Sequence, residues 1–211
     1  MLHIALPKGR LGTTAQRLFA KADCPLFEQS QQSRQLIFEH KASQTRTFLV
    51  KPFDVSIYVE RGAADVDIVG KDVLLEKNPD VYELLDLQFG KCRMAVAARE
   101  DFVEDRERAI RVATKYPHIA SSYYQSMNRE FDIIKLNGSI ELAPSVGLSD
   151  VIIDIVQTGK TLRENHLKVI ADILPISARF IVNKAVYQFK YQEIHQMKQH
   201  LEQIIKKEDP Q

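Results

Sequence analysis

The segment 151–165 carries residue types that could bind a phosphorylated sugar. A run typical of a buried strand, with Asp154 inside it, leads into Thr158-Gly-Lys-Thr161 and then into a helix-like pattern. Gly159 allows torsions that turn successive N–H groups toward one point, and the threonine hydroxyls add donors. The pattern predicts a loop for a terminal phosphate, with Asp154 within reach of the hydroxyls of the attached sugar. An ordinary strand–turn–helix connection with Thr161 as the N-cap is the alternative, and the Walker spacing is absent.

A second candidate site lies directly after the first apolar run of the chain, where Lys8 and Arg10 flank Gly9. Open α/β sheets bind ligands at the carboxyl ends of their strands. Lysine offers a compact charge and arginine a rigid fork for phosphate oxygens. The turn is therefore predicted to bind an anion, and a solvent-facing turn with incidental basic residues is the alternative.

A third glycine turn, Gly70-Lys-Asp72, follows the run Val66–Val69. Asp72 stands where it would cap the next helix, so we expect capping to be its role. The backbone around Gly70 is a further candidate for the lining of a ligand site.

The elements that must position these turns alternate along the chain, which predicts an α/β fold with mostly parallel sheets. Apolar spacing predicts three helices, at Thr13–Ala22, from Pro117 to about Glu130, and at Gln192–Lys206. Short apolar runs predict strands at Ile4–Leu6, Phe48–Val50, Val66–Val69, Met94–Ala98, Ile110–Ala113, Asp132–Leu136, Val151–Val156 and Arg179–Val182. Two lobes are possible if the chain crosses between them at Lys91–Ala98 and Ser177–Val182.

The charge of the chain is balanced in total but not locally. With 29 Lys and Arg against 28 Asp and Glu, the net charge of +1 gives no global reason to expect a nucleic-acid or membrane-surface partner. Residues 1–51 carry eight basic and three acidic residues, whereas residues 52–90 carry three basic and nine acidic residues. The cationic first quarter predicts a small polyanionic ligand, and scattered solvated charge is the alternative.

Length and composition indicate an intracellular globular protein. The 211 residues, 45% of them hydrophobic, suit one large domain or two small lobes with a sizeable core. No apolar run approaches the 18 or so residues of a membrane-spanning helix, and the amino end turns polar too early for a signal peptide. Cys24 and Cys92 are far apart and have no metal-site spacing, which predicts reduced thiols and a cytoplasmic location.

Eight short motifs, taken together and in order, resemble the ATP phosphoribosyltransferase family. The resemblance runs from about residue 2 to about residue 185, and each motif alone is weak. Lys51, Asp67 and Pro7 depart from the family pattern. The motifs are Leu6–Leu11, Ser33–Leu36, Asp54–Val59, Gly70–Leu74, Tyr82–Leu87, Ala113–Tyr116, Gly138–Pro144 and Asp154–Leu162.

The resemblance implies a fold, a reaction and an assembly. The fold is the two-lobed type II fold of periplasmic binding proteins with the active-site cleft between the lobes. Lobe I would span 1–90 and 179–211, and lobe II, with the phosphoribosyl-pyrophosphate loop, 91–178. The reaction transfers phosphoribosyl to N1 of ATP and releases pyrophosphate, the first step of histidine biosynthesis. The length resembles the short form, a catalytic subunit that forms homodimers within a hetero-octamer with a histidyl-tRNA-synthetase-like regulatory subunit.

The resemblance also assigns roles to residues that match the family motifs. Lys8, Arg10 and Arg34 match cations that face the phosphates and are the expected catalytic residues, and Lys8, Gly9, Arg10, Gly70 and Asp72 are expected to bind ATP. No metal ligand is expected in the chain, because the substrate pyrophosphate would hold most of the Mg²⁺ coordination. Expected contacts to phosphoribosyl pyrophosphate come from Glu141, Asp154, Thr158, Gly159, Lys160, Thr161 and Leu162.

Two other classes of protein share part of this pattern. A non-catalytic solute-binding protein has the same fold, but it needs no phosphate loop and is usually exported. A purine-salvage phosphoribosyltransferase has paired acidic residues directly before its phosphate loop, whereas Asp154 is the one acidic residue in the strand here.

Overall fold

The computed structural model describes residues 1–27 and 34–208, and within them the chain forms two units. The first unit contains Met1–Leu74, Asn78–Gly90 and the chain from Ser177 onward, and the second contains Leu75–Lys77 and Lys91–Ile176. Ser177 and Ala178 were predicted in the second lobe but belong to the first unit. The reason is hydrogen bonding: the Ala178 N–H donates to the Phe89 carbonyl at 2.9 Å, and the Ser177 hydroxyl donates to Asp86 at 2.8 Å.

The first unit is built on a mixed sheet. Its order among the described residues is β2-β3-β1-β4-β11-β5, in which β1 is parallel to β3 and β4, and β11 is antiparallel to β4 and β5. The strands are β1 Leu2–Pro7, β2 Ile37–His40, β3 Thr45–Val50, β4 Val66–Gly70, β5 Val81–Asp86 and β11 Ala178–Asn183. The helices are α1 Arg10–Lys21, α2 Val55–Glu60, α6 Lys184–Phe189, α7 Tyr191–Glu208 and α3 Lys71–Lys77, the last three residues of which are assigned to the second unit.

One core of the first unit lies between its sheet and helices α1 and α7. The apolar stripe of α7 packs there through Ile194, Met197 and Leu201, and α1 contributes Leu18 and Phe19. Both helices were predicted from this spacing, with bounds within a few residues of those observed.

Many acidic side chains of residues 52–90 are paired with bases from beyond residue 178. Arg179 binds Glu83 at 3.2 Å and Asp86 at 2.9 Å, Lys190 binds Asp65 at 2.7 Å, and Lys184 binds Asp80. Three bases that are distant in sequence therefore offset part of the acidic excess of this stretch within the first unit.

The second unit is also built on a mixed sheet, with the described order β10-β6-β9-β7-β8. In it β7 is parallel to β8 and β9, whereas β6 is antiparallel to β9 and β10. A 3-10 turn covers Ile140–Leu142. The elements are β6 Cys92–Arg99, β7 Ile110–Thr114, α4 Pro117–Ser126, β8 Phe131–Lys135, β9 Val151–Val156, α5 Lys160–Glu164 and β10 Leu167–Ile176.

The expectation of mostly parallel sheets is wrong, because each sheet contains a strand that is antiparallel to both of its neighbours. Strand β11 lies between β4 and β5, and β6 lies between β9 and β10. All eight predicted strands are present, while β2, β5 and β10 were not predicted. Strand β10 has two register irregularities, which interrupt the alternation that would reveal it. Helix α4 ends at Ser126, earlier than expected. None of the helices in the described ranges is long and apolar enough to cross a bilayer.

Asp67 is a fully buried carboxyl group in the middle of β4. Its strand neighbours Ala5 and Ile181 belong to an apolar cluster with Val55 and Val59. One carboxyl oxygen accepts the N–H of Ile68, and the other has no hydrogen-bond partner among the described residues. Burial, opposed by that backbone hydrogen bond, raises the pKa of Asp67 well above its usual value.

Replacing Asp67 with asparagine is expected to remove a pH dependence of stability. The unfolded chain releases this proton near pH 4, whereas the folded chain retains it to higher pH, so stability falls as pH rises above about 4. The variant should gain unfolding free energy relative to the native chain as pH rises, by at most about 1.4 kcal/mol per pH unit. Denaturant unfolding between pH 4 and 8, with the exposed Asp172→Asn as control, measures this. An equal difference at every pH would contradict it.

Candidate active site

The basic turn after β1 lies at the carboxyl edge of the first sheet. The Lys8 N–H donates to the Val50 carbonyl at 2.8 Å, which ties the end of β1 to β3. Gly9 precedes α1 with φ 91°, and the exposed side chain of Arg10 begins that helix. The structure thus presents Lys8 and Arg10 from a turn whose backbone is held by the sheet.

Gly12 is a residue of this turn that the sequence motifs did not single out. A Cβ atom at Gly12 would lie 1.8 Å from the Pro7 carbonyl oxygen. The first turn of α1 therefore approaches the end of β1 more closely than any side chain allows. The sequence signal for this close approach was a second glycine, three residues after Gly9.

The Gly70 turn lies at the same edge, because β4 runs parallel to β1 and pairs with it. Gly70 is the N-cap of α3 and Asp72 is already inside the helix, so the prediction that Asp72 caps it is wrong. The buried Asp72 side chain lies against Gly70 instead: a Cβ there would be 2.1 Å from its Oδ1 atom.

Arg34 is exposed and lies three residues before β2. Strand β2 starts opposite the end of β3, since Ile37 pairs with Phe48 and the Leu49 N–H donates to the Leu36 carbonyl at 2.8 Å. Arg34 is therefore at the same sheet edge as the Lys8 turn. Ser33, the first residue of its motif, lies outside the described residues.

The predicted phosphate loop leads from β9 into α5 in the second unit. Gly159 has φ 68° and precedes α5, which begins at Lys160, so Thr161 is not the N-cap. The Lys160 N–H donates to the Thr158 hydroxyl at 3.4 Å, and Leu162 anchors the helix in the core.

Asp154, Glu141 and the loop belong to one face of the second sheet. Asp154 lies two residues from Ile152 and two from Val156 along β9, so the three share one face of the sheet. Ile152 and Val156 belong to the apolar cluster that also contains Leu162 and Ile140. Glu141 follows Ile140 in the 3-10 turn packed on that face. The fold thus packs the 3-10 turn that carries Glu141 on the sheet face that bears Asp154 and leads into the loop.

Thr114 is a residue of the second unit whose contacts were not predicted. It is fully buried at the end of β7, and its hydroxyl donates to the Ile153 carbonyl at 2.7 Å and accepts the Tyr116 N–H at 2.9 Å. It therefore ties the start of α4 to β9 directly beside Asp154. Its place in the Ala113–Tyr116 motif was the available signal.

The opposite end of β9 is held by a cluster of charges. Asp150 accepts hydrogen bonds from Arg108 at 2.8 and 3.0 Å and from Arg111 at 2.8 Å. Hydrogen bonds from the Arg108 guanidinium, and then from Arg111, hold the pKa of Asp150 well below its usual range. They outweigh the partial burial of the carboxyl group, which by itself would raise the pKa. The cluster fixes the start of the strand that ends in the phosphate loop.

The two cysteines of the chain form no disulfide, and both are partly buried. Burial, and to a smaller extent Glu193, raises the pKa of Cys24 to about 11, so this thiol is protonated at neutral pH.

Comparison with known proteins identifies the relatives of the chain. A family model described as HisG, ATP phosphoribosyltransferase, matches residues 51–203. ATP phosphoribosyltransferases of Brachyspira hyodysenteriae and Caldanaerobacter subterraneus are 55% and 48% identical over 97% of this chain, and the matches cover 100% and 98% of those proteins.

Solved structures agree with this relationship. A chain of the ATP phosphoribosyl transferase (HisG:HisZ) complex from Thermotoga maritima matches with a TM-score of 0.85 and 34% identity, covering 98% of this chain and 99% of that one. A histidine kinase sensor domain with similarity to periplasmic binding proteins matches at 12% identity with a TM-score of 0.59, over 98% of this chain and 91% of its own, which shows a shared fold. The chain belongs to the ATP phosphoribosyltransferase family.

Proposed function

We propose that the chain transfers the phosphoribosyl group of phosphoribosyl pyrophosphate to N1 of ATP and releases pyrophosphate, the first step of histidine biosynthesis. The observation that carries the proposal is the 55% identity to an ATP phosphoribosyltransferase over the whole of that protein. The bond from C1 of the ribose to the pyrophosphate oxygen breaks, and its electron pair leaves with pyrophosphate. The N1 lone pair of adenine forms the new bond to C1 with inversion.

The chemistry needs no nucleophilic side chain, because adenine N1 already carries a free lone pair. What the chain must supply is alignment of two polyanions and stabilisation of the charge on the departing pyrophosphate. Lys8, Arg10 and Arg34 are proposed to supply that stabilisation from the edge of the first sheet. Gly9 and the Gly70–Asp72 turn at this edge are proposed to contact ATP.

The second unit is proposed to bind the ribose 5-phosphate part of the substrate. The loop Thr158–Leu162 would take the 5′-phosphate through its N–H and hydroxyl groups, and Lys160 adds a positive charge. Asp154 and Glu141 would accept hydrogen bonds from the ribose hydroxyls. Their position on the sheet face that carries the loop supports this assignment.

Mg²⁺ is proposed to enter with the substrate, held mainly by the oxygens of its pyrophosphate, where it offsets their charge. In the described ranges no three His, Cys, Asp or Glu side chains are grouped so that they could hold an ion.

The assembly is proposed to include a second kind of subunit. The solved Thermotoga maritima chain belongs to a HisG:HisZ complex and matches this chain over almost its full length. On this basis we propose a histidyl-tRNA-synthetase-like regulatory partner, a hetero-octamer that contains homodimers of the catalytic chain, and a cytoplasmic location, in keeping with two cysteines that form no disulfide.

Ultraviolet absorbance of the purified chain with ATP, phosphoribosyl pyrophosphate, Mg²⁺ and pyrophosphatase tests the reaction. A new chromophore from N1-substituted adenine that depends on both substrates is expected, alone or after addition of the regulatory subunit. If the protein is folded and neither mixture shows a change in absorbance, the proposal is overturned in favour of a binding protein. Turnover with free adenine or hypoxanthine in place of ATP would point to a purine-salvage enzyme.

A further inference from the structure

The carbonyl groups of the Thr158–Leu162 loop are occupied by donors from α5 and its end. The Arg163 guanidinium donates to the Thr158 carbonyl at 3.1 Å, and the Arg163 N–H donates to the Gly159 carbonyl at 3.1 Å. The Thr161 carbonyl accepts the Asn165 side-chain amide at 2.9 Å and the Asn165 N–H at 3.2 Å. A carbonyl directed at a phosphate would repel it, so these contacts determine how well the loop accepts an anion.

The contact of the Arg163 side chain determines the direction of one peptide. The C=O and N–H groups of a trans peptide point in opposite directions. When the Thr158 carbonyl is held toward Arg163, the Gly159 N–H of the same peptide must point away from it. The first N–H groups of a helix have no acceptor within the helix. In α5 the Lys160 N–H donates weakly to the Thr158 hydroxyl at 3.4 Å, and a bound phosphate would compete with that hydroxyl for it.

The space around Gly159 supports the same role for Arg163. A Cβ atom at Gly159 would lie 3.2 Å from the Arg163 Nη1 atom, tighter than most real contacts. Together with its φ of 68°, this favours glycine where the loop packs against the guanidinium. Helix α5 also carries an exposed ion pair, in which the Lys160 Nζ and Glu164 Oε1 atoms are 3.7 Å apart. This pair does not involve a loop carbonyl.

We infer that Arg163 is a positioning residue that orients the phosphate loop through the Thr158 carbonyl, rather than a residue whose charge contacts the substrate. This inference rests on the proposed binding of the 5′-phosphate by the loop. It assigns the effect of Arg163 to hydrogen-bond donation, which glutamine can also provide and methionine cannot.

The test measures binding of ribose 5-phosphate, which carries the 5′-phosphate and no pyrophosphate, by calorimetry on the full chain. Arg163→Met is expected to weaken binding about tenfold, the loss of one charge-assisted hydrogen bond. Arg163→Gln and Arg163→Lys should stay within about threefold of the native chain. Arg106→Met, a matched change at an exposed arginine of the same unit, should have no effect.

Kinetics and unfolding distinguish orientation of the loop from a general loss of structure. Arg163→Met is expected to raise KM for phosphoribosyl pyrophosphate about tenfold, with KM for ATP and the thermal midpoint unchanged. Native binding by Arg163→Met, or equal losses in the Gln and Met variants with retention in Lys, would overturn the inference and leave the proposed function standing. Failure of the native chain to bind ribose 5-phosphate would overturn both this inference and the proposed role of the loop.

Discussion

Replacing Arg10 with alanine is expected to lower kcat by roughly 10²–10³-fold with the fold intact, by analogy with the loss of an oxyanion donor. The pyrophosphate gains charge as its bond to C1 breaks, so a cation aimed at it acts more strongly in the transition state than in the ground state. The exposed side chain at the start of α1 leaves no cavity when it is truncated. Steady-state kinetics together with thermal unfolding measure both parts of the prediction.

Arg17 provides the matched control for this variant. It is an exposed arginine on the same helix, two turns further on. Arg17→Ala should therefore keep near-native kcat, while Arg34→Ala should lower kcat as Arg10→Ala does. Near-normal turnover in both the Arg10 and Arg34 variants would refute the assignment of these two cations to the departing group.

Replacing Asp154 with asparagine is expected to lower kcat/KM for phosphoribosyl pyrophosphate by roughly 10²-fold. Hydrogen bonds to a charged group contribute about 1.5–3 kcal/mol each, and the variant keeps the shape of the side chain but loses its charge. The change should act on the ribose and leave KM for ATP near its native value.

Asp172 is the control for the Asp154 variant, since it lies on β10 of the same unit and forms an exposed pair with Arg93 at 2.6 Å. Asp172→Asn should change kcat/KM by less than about twofold, because exposed ion pairs contribute little. If Asp154→Asn has the same small effect, Asp154 does not hold the ribose hydroxyls.

The spacing of apolar residues within short stretches of sequence predicted helices α1 and α7. The spacing of Leu18 and Phe19 predicted α1, and the spacing of Ile194, Met197 and Leu201 predicted α7, because a helix that packs on one face repeats its apolar residues at a fixed interval.

Strands at the sheet edges were harder to predict. Strand β2 is partly exposed and short, and β5 carries Glu83 and Asp86, which pair with Arg179. The residues of β5 pair with β11, which is far away in sequence, so the pattern of β5 by itself does not alternate clearly.

The candidate site also has features that local sequence predicts and others that it does not. The types and order of Lys8-Gly-Arg10, Asp154 and Thr158-Gly-Lys-Thr161 led to the prediction of phosphate chemistry, because such donors and cations suit phosphate oxygens. With ordinary turns as the alternative, it stays a prediction. The contact of Arg163 with the Thr158 carbonyl was not predictable, since an arginine on an exposed helix face has many possible partners.

The sequence by itself determined the α/β class and the main helices, and it predicted the chemistry of the two turns, since these depend on residues close together in the chain. Only the tertiary structure decided the mixed sheets, the pairing of part of the acidic stretch with Arg179, Lys184 and Lys190, and the packing of the turn that carries Glu141 on the sheet face of Asp154. The physical reason is that strand pairing, ion pairing and shared burial join residues from anywhere in the chain, and no local spacing records which partner each residue will contact.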